Sequence, residues 1–179
     1  MGYQLIRSVT VGIIFKLSEI ISANIATIPM TVNVFVYGTL MPGQCNYDRY
    51  CRPYLKQASL GYILGQIYHL QQLGYPGVCE GTDRVWGYCL TFGADFSLAA
   101  LDDLEDYDPK RDPDQNEYHR QRTTVLYPHG DFFGDRQSEA WIYRMTLTNI
   151  KRHQGIYLPS GQWSPQIENL SFPESGKPD

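Results

Sequence analysis

The run Val34–Gly43, VFVYGTLMPG, constrains this chain more than any other stretch. Val34, Phe35, Val36 and Tyr37 are consecutive β-branched and aromatic residues, the pattern of a buried strand. Gly38 ends the run, and a glycine there permits a positive φ and a close approach of ligand to backbone. Pro42-Gly43 then marks a turn. A strand that stops at such a loop leaves successive N–H groups without partners, and these can form a nest for a carboxylate or phosphate. The plainer reading is a strand followed by a turn. Gly38 and Gly43 have P-loop spacing, but Gln44-Cys45 stand where Lys-Ser/Thr is required, and no G-x-G-x-x-G occurs. A small carboxylate is therefore a better anion for this loop than a nucleotide.

A chain of 179 residues is long enough for one domain with a proper core. Its net charge of −4 and pI near 5.5 argue against a general nucleic-acid binder. Aromatic residues make up 13%, with 14 tyrosines, which favours a sheet-rich fold with hydroxyls inside it. Cys45, Cys51, Cys79 and Cys89 form no C-x-x-C pair, and the histidines have no complementary ligand spacing. They read as reduced, mostly buried thiols of a cytoplasmic protein, with neither a metal nor another cofactor expected.

Residues 1–29 differ from the rest. The apolar run SVTVGIIF is followed by Lys16 and Glu19, so its uncharged length is too short to span a membrane, and no clear cleavage site follows it. Ile13, Ile14, Leu17, Ile20 and Ile21 recur at helical spacing, as in an amphipathic helix. The composition break favours the other reading, an extension upstream of a start at Met30. The domain then covers residues 30–165, and 166–179 form a disordered tail. Within the domain, Asn46–Tyr54 reads as a short helix stopped by Pro53, and Ala58–Leu70 and Arg84–Phe92 as strands. Gly74-Tyr75-Pro76-Gly77 reads as a turn or a loop lining something. Asp95 is placed to cap a helix from Phe96 to Tyr107. Tyr118–Tyr127 and Glu139–Met145 read as further strands, with Arg120 and Arg122 on one face of the first.

The helix from Phe96 carries the most informative carboxylate. Leu98, Leu101 and Leu104 mark its buried side, and Glu105 projects from nearly the same face. Burial raises a carboxyl's pKa, a helix C-terminus disfavours negative charge, and Asp102 adds like-charge repulsion. All three push Glu105 toward proton transfer near neutral pH. The alternative is an acid at a fraying helix end. Asp103 and Asp106 point elsewhere. The DDLEDYD cluster does not fit an EF-hand, since Lys110 stands where an oxygen ligand is needed and no glycine follows. Tyr118 and Arg120 share a strand face, either beside a pocket or with Tyr118 packed and Arg120 paired to a nearby acid. Asn46 either orients a ligand or caps its helix.

The strand VFVYGTL, Pro-Gly, Asn46, LDDLE with Glu105, and Tyr118-x-Arg120, in this order, resemble the γ-glutamylcyclotransferase superfamily. The nearest branch is the avirulence-induced-gene-like and γ-glutamylamine cyclotransferase group. The resemblance covers about residues 32–165, including Ser160-Gly161-Gln162-Trp163. It implies an α+β fold, a small mixed β-barrel flanked by short helices. The implied reaction is ring closure of a γ-glutamyl amine or γ-glutamyl amino acid to 5-oxoproline, with Glu105 as acid/base. Tyr37, Gly38, Thr39, Leu40, Asn46 and Tyr118 would bind the small γ-glutamyl substrate. No cofactor, nucleic acid or membrane span is implied. Two departures are the long charged loop from Asp106 to Glu117 and residues 1–29. A non-catalytic carboxylate-binding module and an interaction domain are the competing readings.

A chain beginning at Met30 is expected to keep the full chain's thermal midpoint and activity. A large loss of either would show that residues 1–29 are packed and needed.

Overall fold

The computed structural model describes residues 31–128 and 136–165. The expectations for residues 1–29 and 166–179 lie outside the described residues. Strand β1 (Thr31–Val36) forms where the apolar run predicts it. It pairs antiparallel with β3 (Tyr75–Gly93) along its length and parallel with β5 (Arg136–Arg144) through Val34 and Trp141. Strand β4 (His119–Tyr127) runs antiparallel to β5 and meets β2 (Leu55–Leu70) at Tyr62–Leu126. Because β2 also pairs with β3, the five strands close in the order β3-β1-β5-β4-β2. One parallel pair among antiparallel ones gives the expected mixed barrel with short helices. A short β6 (Gly155–Tyr157), absent from the sequence reading, adds to β2.

Strand periodicity divides the core in two. Phe35 of β1 and Tyr37, just after it, point into a cluster drawn from all five barrel strands, with Ile63, Val85, Val125 and Ile142 among its members. Val34 and Val36 point to the other side, against Leu101, Tyr118 and Tyr143. Val34, Phe35 and Val36 are 0%, 1% and 4% exposed, so β1 has protein on both faces. Leu158 and Trp163 join the barrel-filling cluster, and the Trp163 indole N–H donates to His69 Nδ1 at 3.2 Å.

The helices are shorter than their sequence patterns. Helix α1 (Tyr47–Tyr50) is one turn, and Pro53 lies inside the 3₁₀ turn Arg52–Tyr54 that follows it. Helix α2 is Ala99–Leu104, not Phe96–Tyr107. Its start is delayed because the Phe96 ring stacks on Phe92 at 3.9 Å while the Phe96 N–H bonds Gly93 O. Leu98, not the exposed Asp95, holds the N-cap position. The far end closes in a Schellman arrangement: Tyr107 N–H bonds Asp102 O, Asp106 N–H bonds Asp103 O, and Asp106 takes a left-handed φ of 47°. Glu105 is thereby the C-cap residue and not part of a continuing helix. Helix α3 (Leu147–Arg152), capped by the Thr146 side chain on Asn149 N–H, escaped the sequence reading. Among the described residues no helix is long and apolar enough to cross a membrane.

The Trp163–His69 bond lies in the buried core, where losing one partner strands the other. Trp163→Phe is expected to cost about 2 kcal/mol in chemical denaturation, from the orphaned imidazole nitrogen. An unchanged midpoint would show that the C-terminal segment contributes little to the barrel.

Candidate functional site

The ladder between β1 and β3 ends at Val36–Tyr88. Beyond it the chain turns, and the turn's own bonds use the N–H groups of Met41, Gln44 and Asn46. The N–H groups of Gly38, Thr39 and Leu40 take part in neither set. The positive φ lies at Gly43 (84°) and not at Gly38, contrary to the sequence reading. Gly38 is needed for space: a Cβ there would meet Pro76 Cγ at 2.6 Å. Pro76 belongs to the Gly74–Gly77 segment, which enters β3 after a turn at Gly74 and lines the site through Tyr75 and Pro76.

Two adjoining cavities open at this strand end. The inner one, about 40 Å³, has walls from Tyr37 to Leu40, Pro76 and Tyr143. That volume holds about three waters, or one carboxylate-sized group. The outer one, about 120 Å³, is reached past Asn46, Leu104, Asp106 and Glu117. Thr39, Tyr75, Glu105 and Tyr118 line both.

Glu105 stands at this junction. Helix α2 delivers it there because Leu101 is fully buried one turn earlier. Among the described residues no group hydrogen-bonds its carboxyl. Burial in that position raises its pKa from 4.5 to about 7. The repulsion expected from Asp102 does not contribute. Asp102 turns the other way, where Arg120 Nη1 reaches both its oxygens at 2.7 and 2.8 Å and Tyr143 donates to it at 2.7 Å. Asp103 is exposed, as expected, but Asp106 shares the outer cavity with Glu105.

The other predicted residues divide by role. Tyr37 and Tyr118 are buried, and both hydroxyls are committed to backbone: Tyr37 to Tyr143 O and Tyr118 to Pro76 O, each at 2.7 Å. Each phenol is held well above its usual pKa, first by burial and then by neighbouring charges that include Glu105. They are neutral walls that can still accept a hydrogen bond. Asn46 is the N-cap residue of α1, but its side chain makes no cap bond. Its amide donates to Thr39 Oγ1 at 3.1 Å instead, and so pins the loop. Arg120 lies outside both cavities, paired to an acid of the helix. Tyr143 and Glu117 were missed. A tyrosine in a strand and an acid in a charged loop carry no periodic signal that separates them from their neighbours.

A family model described as Gamma-glutamyl cyclotransferase, AIG2-like, matches residues 34–165. No curated protein matches at a significant level. Among solved structures, the chain is similar to an aig2-like protein from Mus musculus, at TM-score 0.56 and 21% identity, covering 82% of this chain and 99% of that one. It is also similar to a uropathogenic E. coli-specific protein, at TM-score 0.50 and 13% identity, covering 80% and 98%. A third match is to Kluyveromyces lactis allophanate hydrolase, at TM-score 0.52 and 11% identity, covering 78% of this chain and 21% of that one.

The contact between Gly38 and Pro76 leaves no room for a side chain, so Gly38→Val must displace the loop, the proline, or both. The expected loss of stability is about 1–3 kcal/mol, as for overpacking elsewhere. Chemical denaturation of parent and variant reads that loss, and an unchanged midpoint would show that the loop or Pro76 gives way without cost.

Proposed function

The chain belongs to the AIG2-like γ-glutamyl cyclotransferase family, and we propose that it converts a γ-glutamyl amine or γ-glutamyl amino acid to 5-oxoproline and the free amine, with Glu105 as general acid and base. The observation that carries this reading is the Glu105 carboxyl: unpartnered among the described residues, desolvated, raised to about 7, and facing both cavities.

The reaction asks little of the protein in covalent terms. The substrate's own α-amine is the nucleophile and its γ-carbonyl carbon the electrophile. One C–N bond forms as the five-membered ring closes, and the amide C–N bond breaks. The proton removed from the α-amine equals the proton needed by the departing nitrogen, so one carboxyl can take it and return it. The harder task is to fold a flexible γ-glutamyl group so that amine and carbonyl meet. The two adjoining cavities together suit that task. The inner cavity's N–H groups at Gly38, Thr39 and Leu40, unpartnered among the described residues, would hold the α-carboxylate or the developing oxyanion. Asn46 would keep Thr39 in place, while Tyr37 and Tyr118 exclude water. The leaving amine would face the outer cavity. Glu105 at a pKa near 7 is ionised often enough to accept a proton and acidic enough to give it back. Four free cysteines support action in the cytoplasm.

Glu105→Gln keeps size and hydrogen bonding but cannot shuttle a proton. The expected loss in 5-oxoproline formation is ~10²–10⁴-fold, with Asp103→Asn as the control on the exposed side of the same helix. In the parent, kcat/KM should fall as pH drops below about 7, because the base is then protonated. The stability profile has its own sign. Burial favours the neutral carboxyl, so its stabilising contribution is complete below 4.5 and is lost as pH rises through about 7. Glu105→Gln should therefore raise the thermal midpoint above pH 7, and the gain should shrink toward pH 5. Equal turnover by parent and variant would refute the role of Glu105. No turnover by the parent on any γ-glutamyl compound would favour a binding module.

A further inference from the structure

The carboxyl of Glu105 has no hydrogen-bond partner among the described residues to aim it. Its direction is therefore inherited from the backbone at the end of α2. That backbone is held by Asp102, one turn earlier, in two ways. The Asp102 carbonyl accepts the Tyr107 N–H that closes the helix cap. The Asp102 carboxylate accepts from Arg120 of β4 and from Tyr143 of β5. Arg120 in turn is clasped, with its guanidinium 5.2 Å from the Trp141 ring centre and 5.5 Å from that of Tyr107. Tyr107 packs edge-on against Tyr143 at 6.4 Å, which completes the circuit.

We propose that Asp102 is a positioning residue for the reaction assigned above: through Arg120, Tyr107 and Tyr143 it registers the end of α2, and with it Glu105, to strands β4 and β5. This inference rests on the cyclotransferase reading for its kinetic consequence but not for its geometry. Tyr143 serves both sides of the site. Its hydroxyl is held by Asp102, and its carbonyl accepts the Tyr37 hydroxyl from the strand end that carries the free N–H groups. One circuit thus spaces the carboxyl from the opposite wall of the inner cavity. A shift of about 1 Å between such groups can lower a rate by about 10²-fold. The same circuit holds Glu105 in its half-buried position. Tyr37 after β1, Cys51 beyond α1, Tyr75 of β3 and Tyr118 before β4 all feel the charge of Glu105, and Asp106 and Glu117 line a cavity with it. If the helix end loosens, Glu105 becomes more exposed and its ionisation returns toward the ordinary carboxyl range.

Asp102→Asn keeps the shape and removes the charge that holds Arg120. The expected result is a kcat lower by ~10–100-fold with KM changed by less than about threefold. The acid limb of the rate profile should move below the parent's value. Tyr143→Phe removes one of the bonds to Asp102 while keeping the ring, and should shift kcat and limb in the same direction by less; it decides the matter if Asp102→Asn does not fold. Carbon-13 NMR titration of the Glu105 carboxyl in parent and variants reads the same displacement without turnover. A downward shift in the variants supports the positioning role even if the parent cyclises no γ-glutamyl compound, an outcome that would fault only the assigned reaction. A Glu105 titration identical in parent and both variants, or an unchanged kcat in an active parent background, would overturn it.

Discussion

The second half of strand β1, Val34–Val36, has protein on both faces, and the rest of the molecule is arranged to make that so. Val34 and Val36 need the helical layer on one side, while Phe35 and Tyr37 need the barrel interior on the other. Its edges are occupied by β3 and β5. A strand enclosed in this way cannot leave its end unpaired at the protein surface without exposing what surrounds it. The end instead opens into a cavity, where three N–H groups remain free of the ladder. Burial of apolar side chains, a non-directional force, thus produces a directional feature: a short row of donors in a partly dry pocket, where they interact more strongly than in water.

The two acids one turn apart on α2 show how local surroundings divide similar chemistry. Asp102 and Glu105 leave the same helix end. Asp102 is paired with a guanidinium and a phenol, which satisfies a partly buried charge. Glu105 has no hydrogen-bond partner among the described residues, and burial raises its pKa to about 7. An unpaired desolvated carboxyl works against stability whenever it is ionised. The fold tolerates it because the opposing contacts, Leu101 beneath and the Asp102 circuit beside, are strong and close by.

The legible parts of this chain were those written in periodicity. The strands, the buried side of α2 and the desolvation of Glu105 follow from spacing and residue type, whereas Tyr75–Gly77, expected in a turn or loop, open strand β3. Boundaries were less legible, because tertiary contacts set them: Phe96 belongs to the core through its stack on Phe92, so the helix starts late. Charge pairing was least legible. Asp102 read as a repulsive neighbour of Glu105 since the two are close in sequence, yet its partners lie 18 and 41 residues away. The requirement for Gly38 was visible, but its cause was not. Conformational freedom and lack of room look alike in a sequence, and only the proline opposite distinguishes them.

A site of this kind leaves a faint record in sequence for a physical reason. When the substrate supplies both nucleophile and electrophile, the protein needs one titratable group and a shape. The shape here is made largely of backbone N–H groups, which every residue except proline can present. Selection can then act on the path of the chain more than on its side chains, leaving a few exceptions. One is a glycine where the proline ring leaves no space; another is an acid at the helix end; a third is whatever fixes that end in place. Asp102 is of the third sort. It lines neither of the two cavities, so any effect it has on the site is indirect.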